Sequence, residues 1–274
     1  MFVTLLSFSL MAVAVKELSE DLSTSQIIFF RSLVSLIILI PIVNYFGFKE
    51  IISSHTGKHV LRNVAHFLGQ YGWIYGIAFI PLSEVFALEF TVPIWTALIA
   101  MILLKEKLNK SRIISIGLGV VGVVVILRPG IEIVHLASIA VLLGAFSYAL
   151  SHTLTKSIVK YDSPLSIIFY MAVIQLPIGL VLSFDNWIMP SGNMWWWIVV
   201  AGIAALVAHF CMAKAMMFAD AMVVVPMDFL RLPLIMIVGL LFYNENIEWL
   251  ILVGALFMLA GNFVNLKNEN KVRD

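Results

Sequence analysis

Long apolar segments, each closed by charged or turn-forming residues, dominate this sequence and limit what it can fold into. Of its 274 residues, 62% are apolar and 12% are charged. A soluble domain carries about a quarter charged residues, so this chain has too few charges to cover a water-soluble surface. Because a bilayer-spanning helix needs about 20 residues, the chain has room for about ten spans joined by short loops. We therefore expect an all-α integral membrane protein without a large soluble catalytic module.

The apolar segments predict ten transmembrane helices. The first five lie near residues 1–15, 27–46, 61–80, 82–104 and 111–127, and the second five near 136–156, 164–184, 194–218, 221–243 and 247–265. Strands of a membrane barrel are disfavoured, because the segments are about twice as long as a barrel strand and lack alternating polarity. The first segment is short, but no basic region precedes it and no small-residue cleavage pattern ends it, which disfavours a signal peptide.

Lysine and arginine are distributed unevenly between the two sides of the predicted bundle. The loops after helices 2, 4 and 6 and the C-terminal tail hold twelve of these residues, whereas the opposite side holds two, Lys16 and Arg128. The positive-inside rule therefore places both termini in the cytoplasm, as an even number of spans requires. The net charge of +1 gives no basic excess for binding nucleic acid. The single cysteine, Cys211, cannot form an internal disulfide.

The two halves of the chain align when one is shifted by 139 residues. The shift pairs polar, acidic and glycine positions, namely Gln70 with His209, Glu89 with Asp228, and Gly122 with Gly261, and brings Pro93 within one residue of Pro233. Each half has five predicted helices, so the second half must enter the membrane in the opposite orientation. We predict two five-helix units, residues 1–130 and 131–274, that form an inverted-topology repeat, an arrangement found in secondary transporters. Chance alignment of two apolar halves is the alternative.

Three stretches of the sequence resemble a known family. IPLSEVFALEFTVPIWTALIAMILLKEKL, beginning at Ile80, is similar to the fourth-helix signature of the EamA family in the drug/metabolite transporter superfamily. AKAMMFADAMVVVPMDFLRLPLIMIVGLLFYNENIE, beginning at Ala213, resembles the ninth-helix region, and Arg31 in FFRSLVSLIILIP resembles the second-helix arginine. The LKE and YNE endings and Lys214 look closest to bacterial members that include S-adenosylmethionine uptake carriers. The resemblance implies a ten-helix carrier of small organic metabolites in the bacterial inner membrane, working by alternating access.

Six charged residues fall within the predicted spans, the basic Arg31, Lys214 and Arg231 and the acidic Glu84, Glu89 and Asp228. Each costs about 2.5 to 3.5 kcal/mol at a helix centre, so we expect them to face the bundle interior. Arg31 and Glu84 lie near the predicted outer interface, which suits a gating or structural role. Asp228 and Arg231, three apart, can pair with each other or contact substrate. Glu89 has no basic neighbour on its own helix and is the strongest candidate for binding a cation or coupling protons.

Polar and aromatic residues extend this candidate site. They are His66, Gln70 and Trp73 on one face of the third helix, Tyr75 beside them, Tyr148 and His152 on the sixth helix, and His209 with Lys214 on the eighth. Structural hydrogen bonds between helices are the alternative for each histidine. As a set, these residues suit a ligand with a cationic or heteroaromatic group, while Lys214 or Arg231 could hold a carboxylate. Pro93 and Pro233 lie beside the acids and permit helix bending.

The functional hypothesis from these patterns is a secondary transporter of a small charged or zwitterionic metabolite, and the family resemblance implies S-adenosylmethionine or an amino-acid-like compound as candidates. Proton symport, exchange against a counter-substrate and facilitated diffusion remain open as coupling modes. An intramembrane enzyme that uses the histidines and acids, and a sensor or assembly subunit without transport, are the alternatives. The G-x-G-x-x-G run at Gly117 lacks the βαβ context of a dinucleotide site and instead predicts close helix packing. We expect no cofactor and no metal site.

Overall fold

The computed structural model describes residues 1–104, 110–128, 134–219, 224–225, 227–246 and 248–273, and within these ranges the regular secondary structure is helical, with no β-strand. Four helical segments are long and apolar enough to cross a membrane: Thr24–Phe46, Leu136–Ile158, Pro164–Asn186 and Met194–Phe218. Shorter apolar helical segments are Ile113–Leu127, Leu232–Phe242 and Trp249–Gly261. The prediction of an all-α membrane protein is confirmed.

The first half contains six helices among the described residues. They are α1 (Phe2–Leu18), α2 (Thr24–Phe46), α3 (Thr56–Phe79), α4 (Leu82–Glu89), α5 (Val92–Leu104) and α6 (Lys110–Leu127), with a 3₁₀ turn at Phe48–Glu50. The start of α2 is set by Ser23, whose hydroxyl accepts a hydrogen bond from the backbone N–H of Gln26. Helix α1 ends at Leu18, a few residues beyond its predicted end near residue 15.

The second half repeats this order of long helices. They are α7 (Leu136–Ile158), α8 (Pro164–Ser183), α9 (Met194–Phe218), α10 (Leu232–Phe242) and α11 (Trp249–Arg273), with 3₁₀ turns at Phe184–Asn186 and Asp228–Arg231. Helix α8 begins in the same way as α2, because the Ser163 hydroxyl accepts a hydrogen bond from the backbone N–H of Ser166.

Two predicted helices are interrupted, and the interruptions shape the interior. The predicted helix 82–104 is divided at Phe90 and Thr91 into α4 and α5. In a continuous helix the N–H of residue 93 would bond the carbonyl of Glu89, and Pro93 has no N–H to donate. In the predicted helix 221–243, the 3₁₀ turn Asp228–Arg231 comes directly before α10, whose second residue is Pro233. The two prolines thus begin new helices, whereas the sequence predicted bends within continuous ones.

Helices of one half pack mainly against helices of the other. The first helix of each half packs on the third helix of the other, so that α1 contacts α9 and α7 contacts α3, while α2 packs on α8 and α6 on α11. Small residues allow these close approaches. A Cβ atom at Gly144 would lie 2.9 Å from the Gly69 carbonyl oxygen, and one at Gly122 would lie 2.6 Å from the Gly254 carbonyl oxygen. The prediction that the glycine run in α6 serves helix packing is confirmed at Gly122.

Candidate functional site

Three ionisable side chains meet where the two interrupted helices come together. Arg231 Nη2 lies 2.7 Å from Glu89 Oε1 and 2.7 Å from Asp228 Oδ2. The pair between Asp228 and Arg231 that the spacing predicted is confirmed, on a 3₁₀ turn rather than an α-helix. Glu89 has no basic neighbour on its own helix, and the structure supplies its partner, Arg231, from the other half of the chain. We call Glu89, Asp228 and Arg231 the ionic triad.

Aromatic rings surround the cation of this triad. The Arg231 guanidinium carbon lies 5.0 Å from the Phe8 ring centroid and 4.7 Å from that of Phe86, both within the range of cation–π attraction. Trp73 Nε1 donates a hydrogen bond of 3.0 Å to the second oxygen of Glu89. The side chain of Arg231 is 4% exposed. The guanidinium is therefore fixed by two carboxylates and two rings at once.

The helix interruptions explain why these side chains can meet. Glu89 is the last residue of α4, and Asp228 and Arg231 begin and end the 3₁₀ turn before α10. Two carboxylates share one guanidinium, so the triad carries an excess negative charge when both acids are ionised. Asp228 Oδ1 is buried without a hydrogen-bond partner among the described residues. The triad thus retains acceptor capacity for a proton or a cationic group.

A cavity of about 20 Å³ adjoins the triad, lined also by Phe8, Met11, Trp73, Tyr148, His152, His209 and Met212. This volume holds about one water molecule, whereas pockets for organic ligands occupy about 300 to 1,000 Å³. Binding of a metabolite here therefore requires the surrounding helices to separate. The structure shows the compact state of the site.

A second polar group lies beside this cavity. Arg31 Nη2 donates to Gln175 Oε1 at 2.7 Å, and Gln175 Nε2 lies 2.9 Å from His66 Nδ1. The His66 ring contacts the rings of His209 and Tyr148, with centroid separations of 4.6 and 5.3 Å. Because His209 and Tyr148 line the central cavity, the Arg31 group is continuous with the ionic triad through aromatic contacts.

The structure brings together most of the residues that the sequence predicted for the site. Those lining the central cavity are Glu89, Asp228, Arg231, Trp73, Tyr148 and His209. His66 and Gln70 are fully buried next to them on α3. Arg31, which we expect near the outer interface, is 2% exposed and lies between α2 and α8, where its partner is Gln175.

The remaining predicted residues lie elsewhere. Lys214 is exposed and lines a separate, mostly apolar groove of about 470 Å³ between α2, α8 and α9. Lys214 follows Phe210 by four residues, so both lie on the face of α9 that borders this groove. Lys214 therefore does not join the central group. Tyr75 is half-buried and packs against Phe79, with ring centroids 4.6 Å apart. Glu84 accepts a hydrogen bond of 2.7 Å from the Ser138 hydroxyl.

Some residues in or beside the central cavity were not predicted from the sequence. Phe8 and Met11 belong to the short first helix and look like ordinary apolar residues, so nothing in the sequence distinguishes them. Gln175 did carry a signal, because it is an amide within the otherwise apolar stretch of α8. Its hydrogen-bond partner Arg31 was recognised as a charged residue within a predicted span. The contact between them, however, depends on the packing of α2 on α8.

Lysine side chains close the ends of α3 and α9 in matching ways. Lys16 Nζ donates to the Ile77 carbonyl oxygen at 3.0 Å and lies 3.7 Å from Glu245 Oε1. Lys156 Nζ donates to the carbonyl oxygens of Met216 and Ala219 at 2.9 Å each. Cations at helix C-termini are stabilised by the exposed carbonyls and the helix dipole. Each lysine lies in the last turn of the first helix of one half and caps the third helix of the same half.

Glu245 and Tyr243 add to the contacts at the Lys16 end. Glu245 Oε2 accepts from the Leu82 backbone N–H at 2.9 Å, so the first residue of α4 is bonded there. The Tyr243 hydroxyl donates to Glu17 Oε1 at 2.7 Å, which ties α1 to the residue that follows α10.

Apolar helices that enclose an ionic triad at paired interruptions define a polytopic membrane transport protein. The chain belongs to the EamA-like transporter family, whose model matches residues 1–128 and 135–267. The family resemblance seen in the sequence is thereby confirmed, and the chain belongs to a family of transporters rather than enzymes.

Curated relatives carry transporter names. An S-adenosylmethionine uptake transporter from Rickettsia prowazekii is 28% identical over 268 residues, covering 98% of this chain and 91% of the relative. Riboflavin transporters are also similar. One from Vibrio cholerae is 28% identical, and the match covers 77% of this chain and 72% of the relative. One from Brucella anthropi is 29% identical, and the match covers 78% of this chain and 77% of the relative. Small-molecule transport is therefore common to these relatives.

One solved crystal structure shares the fold. The match covers 100% of this chain and 97% of the solved chain, with a TM-score of 0.72 and 13% sequence identity. At this identity the likeness concerns the fold alone.

Proposed function

We propose that this protein is a secondary transporter that moves a small charged or zwitterionic metabolite across the bacterial inner membrane, with S-adenosylmethionine as the first substrate to test. The observation that carries the proposal is the ion pair between Glu89 and Arg231, which joins interrupted helices from opposite halves of the chain. Buried ionisable residues of a membrane protein are costly and mark substrate or ion pathways.

The proposed architecture is a ten-span inverted repeat of residues 1–130 and 131–274, with both termini in the cytoplasm. In this scheme α4 with α5 forms one span, and the residues around the 3₁₀ turn with α10 form another. The reciprocal packing of α1 on α9 and α7 on α3 supports it, because two related halves of opposite orientation make the same contact twice. The matched caps by Lys16 and Lys156 support it in the same way.

Alternating access follows from this architecture. Inverted repeats open to opposite sides of the membrane when one half tilts against the other around a site near the midplane. The interruptions at Phe90–Thr91 and before Leu232 supply points where the helices can change direction with little loss of backbone hydrogen bonding. The compact cavity then represents a state between outward and inward opening.

The chemistry of the triad favours a cationic substrate. S-Adenosylmethionine carries a sulfonium, an ammonium and a heteroaromatic ring, which match the two carboxylates and the rings of Trp73, Phe8 and Phe86. Riboflavin is neutral and gains little from a buried acid pair. The similarity to S-adenosylmethionine uptake transporters over 98% of the chain supports the same choice.

Coupling would arise from competition for the carboxylates. A cationic substrate competes with Arg231 for Glu89 and Asp228, and a proton or a counter-substrate can occupy the same acids on the return step of the transport cycle. Proton symport predicts that an imposed pH gradient changes the uptake rate of proteoliposomes, whereas exchange predicts stimulation by substrate loaded inside.

The decisive experiment is uptake of radiolabelled S-adenosylmethionine into proteoliposomes, with riboflavin measured in parallel. We expect saturable S-adenosylmethionine uptake that Glu89→Gln lowers at least tenfold. Glu20→Gln, which removes an exposed carboxylate outside the cavity, is the matched control and is expected to leave uptake unchanged. Absence of S-adenosylmethionine uptake by the reconstituted wild-type protein, with riboflavin accumulating instead, would reject the substrate assignment.

A further inference from the structure

We propose that Arg31 and His66 form an anion subsite that binds the carboxylate of the transported molecule, separate from the ionic triad. The choice of S-adenosylmethionine as the probe rests on the proposed function, but the subsite itself is inferred from side-chain geometry. It would make the site bipolar, with carboxylates at one end and hydrogen-bond donors at the other.

Arg31 is a buried cation whose protein partner is neutral. Its side chain is 2% exposed, and Nη2 donates to the amide oxygen of Gln175 at 2.7 Å. Nε and Nη1 have no hydrogen-bond partner among the described residues. Arg62, the other buried arginine of this region, differs because Nε and Nη1 both donate, to Thr155 and Asn63. A buried guanidinium without a counter-ion is costly, and a carboxylate is the anion that matches its planar fork.

The hydrogen-bond directions around Gln175 can be assigned without ambiguity. Arginine has only donors, so the Gln175 atom facing Arg31 must be the amide oxygen. The amide nitrogen of Gln175 therefore donates to His66 Nδ1, at 2.9 Å. A ring nitrogen that accepts is unprotonated, so the proton of the neutral His66 ring lies on Nε2.

This assignment makes His66 Nε2 a donor, and it has no partner among the described residues. Arg31 Nε, Arg31 Nη1 and His66 Nε2 are thus three unused N–H groups on residues joined through Gln175. Such a set suits an anion and offers nothing to a cation. His209 Nε2 is also buried without a partner among the residues described, and the His209 ring lies 4.6 Å from that of His66.

The position of His209 links the subsite to the central cavity, which it lines together with Glu89 and Asp228. Arg31 and His66 do not line the compact cavity, but the ring contacts of His66 with His209 and Tyr148 place the subsite next to it. In the proposed opened state, a ligand that contacts the carboxylates would also reach the unused donors. A zwitterion with separated cationic and anionic groups, such as S-adenosylmethionine, fits both ends. Decarboxylated S-adenosylmethionine retains the cationic groups and lacks the anionic one, so it distinguishes the two ends.

The test compares the two compounds in the same variants of the reconstituted protein. We expect wild-type protein to favour S-adenosylmethionine over the decarboxylated analogue by about tenfold to a hundredfold in apparent affinity, the range for a charged hydrogen bond. Arg31→Gln is expected to abolish this preference while uptake of the decarboxylated analogue continues. Lys49→Gln removes one exposed cation from the loop after α2 and is expected to keep the preference.

Gln175→Glu provides a second variant if Arg31→Gln does not insert. It gives Arg31 an internal carboxylate that competes with that of the substrate, so it is also expected to reduce the preference at least tenfold. The inference is overturned if the wild-type protein transports both compounds equally well, or if folded Arg31→Gln or Gln175→Glu protein keeps the preference. Failure of the wild-type protein to transport S-adenosylmethionine at all would instead reject the substrate assignment, and the same comparison would then use a transported zwitterion and its decarboxylated form.

Discussion

Glu89 and Arg231 are 142 residues apart in the sequence, yet Glu89 Oε1 accepts a hydrogen bond of 2.7 Å from Arg231 Nη2 in the interior of the bundle. Each residue lies at an interruption of an apolar helix, and the two helices belong to different halves of the chain. In the proposed alternating-access mechanism, a change in the angle between the halves lengthens or breaks this contact. The pair would then connect the binding chemistry of the site to the movement that the proposed mechanism requires.

Removal of the shared cation is expected to destabilise the protein. Arg231→Met leaves Glu89 and Asp228 buried together without a counter-ion, and breaking a buried ion pair in this way costs about 3 to 5 kcal/mol. Thermal unfolding in detergent checks this expectation. Adding Glu89→Gln to Arg231→Met is expected to recover part of the loss, because it removes one of the two unpaired charges. Equal unfolding temperatures for the wild type and Arg231→Met would contradict the account.

Loss of the tryptophan donor tests the hydrogen bond to Glu89 alone. Trp73→Phe keeps an aromatic ring beside Phe86 and deletes the N–H that lies 3.0 Å from Glu89 Oε2. Hydrogen bonds to charged groups contribute about 1.5 to 3 kcal/mol, so we expect a rise in KM of about tenfold or more. The control is Trp249→Phe at an exposed tryptophan. A KM unaffected by Trp73→Phe would show that Glu89 does not depend on this donor.

The interruption between α4 and α5 is expected to depend on Pro93. Pro93→Ala restores an N–H that can bond the Glu89 carbonyl and favours a continuous helix. We expect slower uptake at normal protein levels, because Glu89 would be displaced from Arg231. Pro41→Ala changes a proline inside α2, away from the triad, and serves as the comparison. Similar uptake rates for the two proline variants would argue against a special role for Pro93.

The Lys16 contacts are expected to hold the outer end of the pathway closed. Lys16→Gln weakens the bond to the Ile77 carbonyl and the pairing with Glu245. In a Cys211→Ser background, a cysteine at Met11, which lines the cavity, reports access from outside through labelling by a membrane-impermeant thiol reagent. We expect faster labelling with Lys16→Gln and no acceleration with Lys156→Gln, whose side chain lies at the opposite end. Equal labelling in both variants would contradict the assignment of Lys16 to the outer closure.

The helical membrane character could be predicted from the sequence because it depends on local properties. Apolar content and segment length are sufficient to predict spanning helices, and a three-residue spacing indicated an Asp228–Arg231 pair as one of two possibilities. The acids of the site could also be predicted, because a charged residue within an apolar segment is recognisable in the sequence without knowledge of the fold. Pro93 and Pro233 marked the right places, although a bend was expected where the chain in fact interrupts the helix.

Contacts between distant helices could not be predicted in the same way. The partner of Glu89 depends on how α4 meets the turn before α10, and that arrangement follows from the packing of the whole bundle. The same reason applies to Lys214, because helical periodicity groups residues on a face but does not say which face is turned inward. The position of Arg31 along α2 predicted its depth in the membrane, but its contact with Gln175 depends on the packing of α8 on α2.

The central claim is that Glu89 and Asp228 jointly bind the transported cation, and a double-mutant cycle on equilibrium binding tests it most directly. Binding of S-adenosylmethionine would be measured for purified wild-type protein, Glu89→Gln, Asp228→Asn and the double variant. The account predicts at least tenfold weaker binding for each single variant and a combined loss smaller than the sum of the two, because both acids contact the same group and share Arg231. Unchanged binding in both single variants would contradict it.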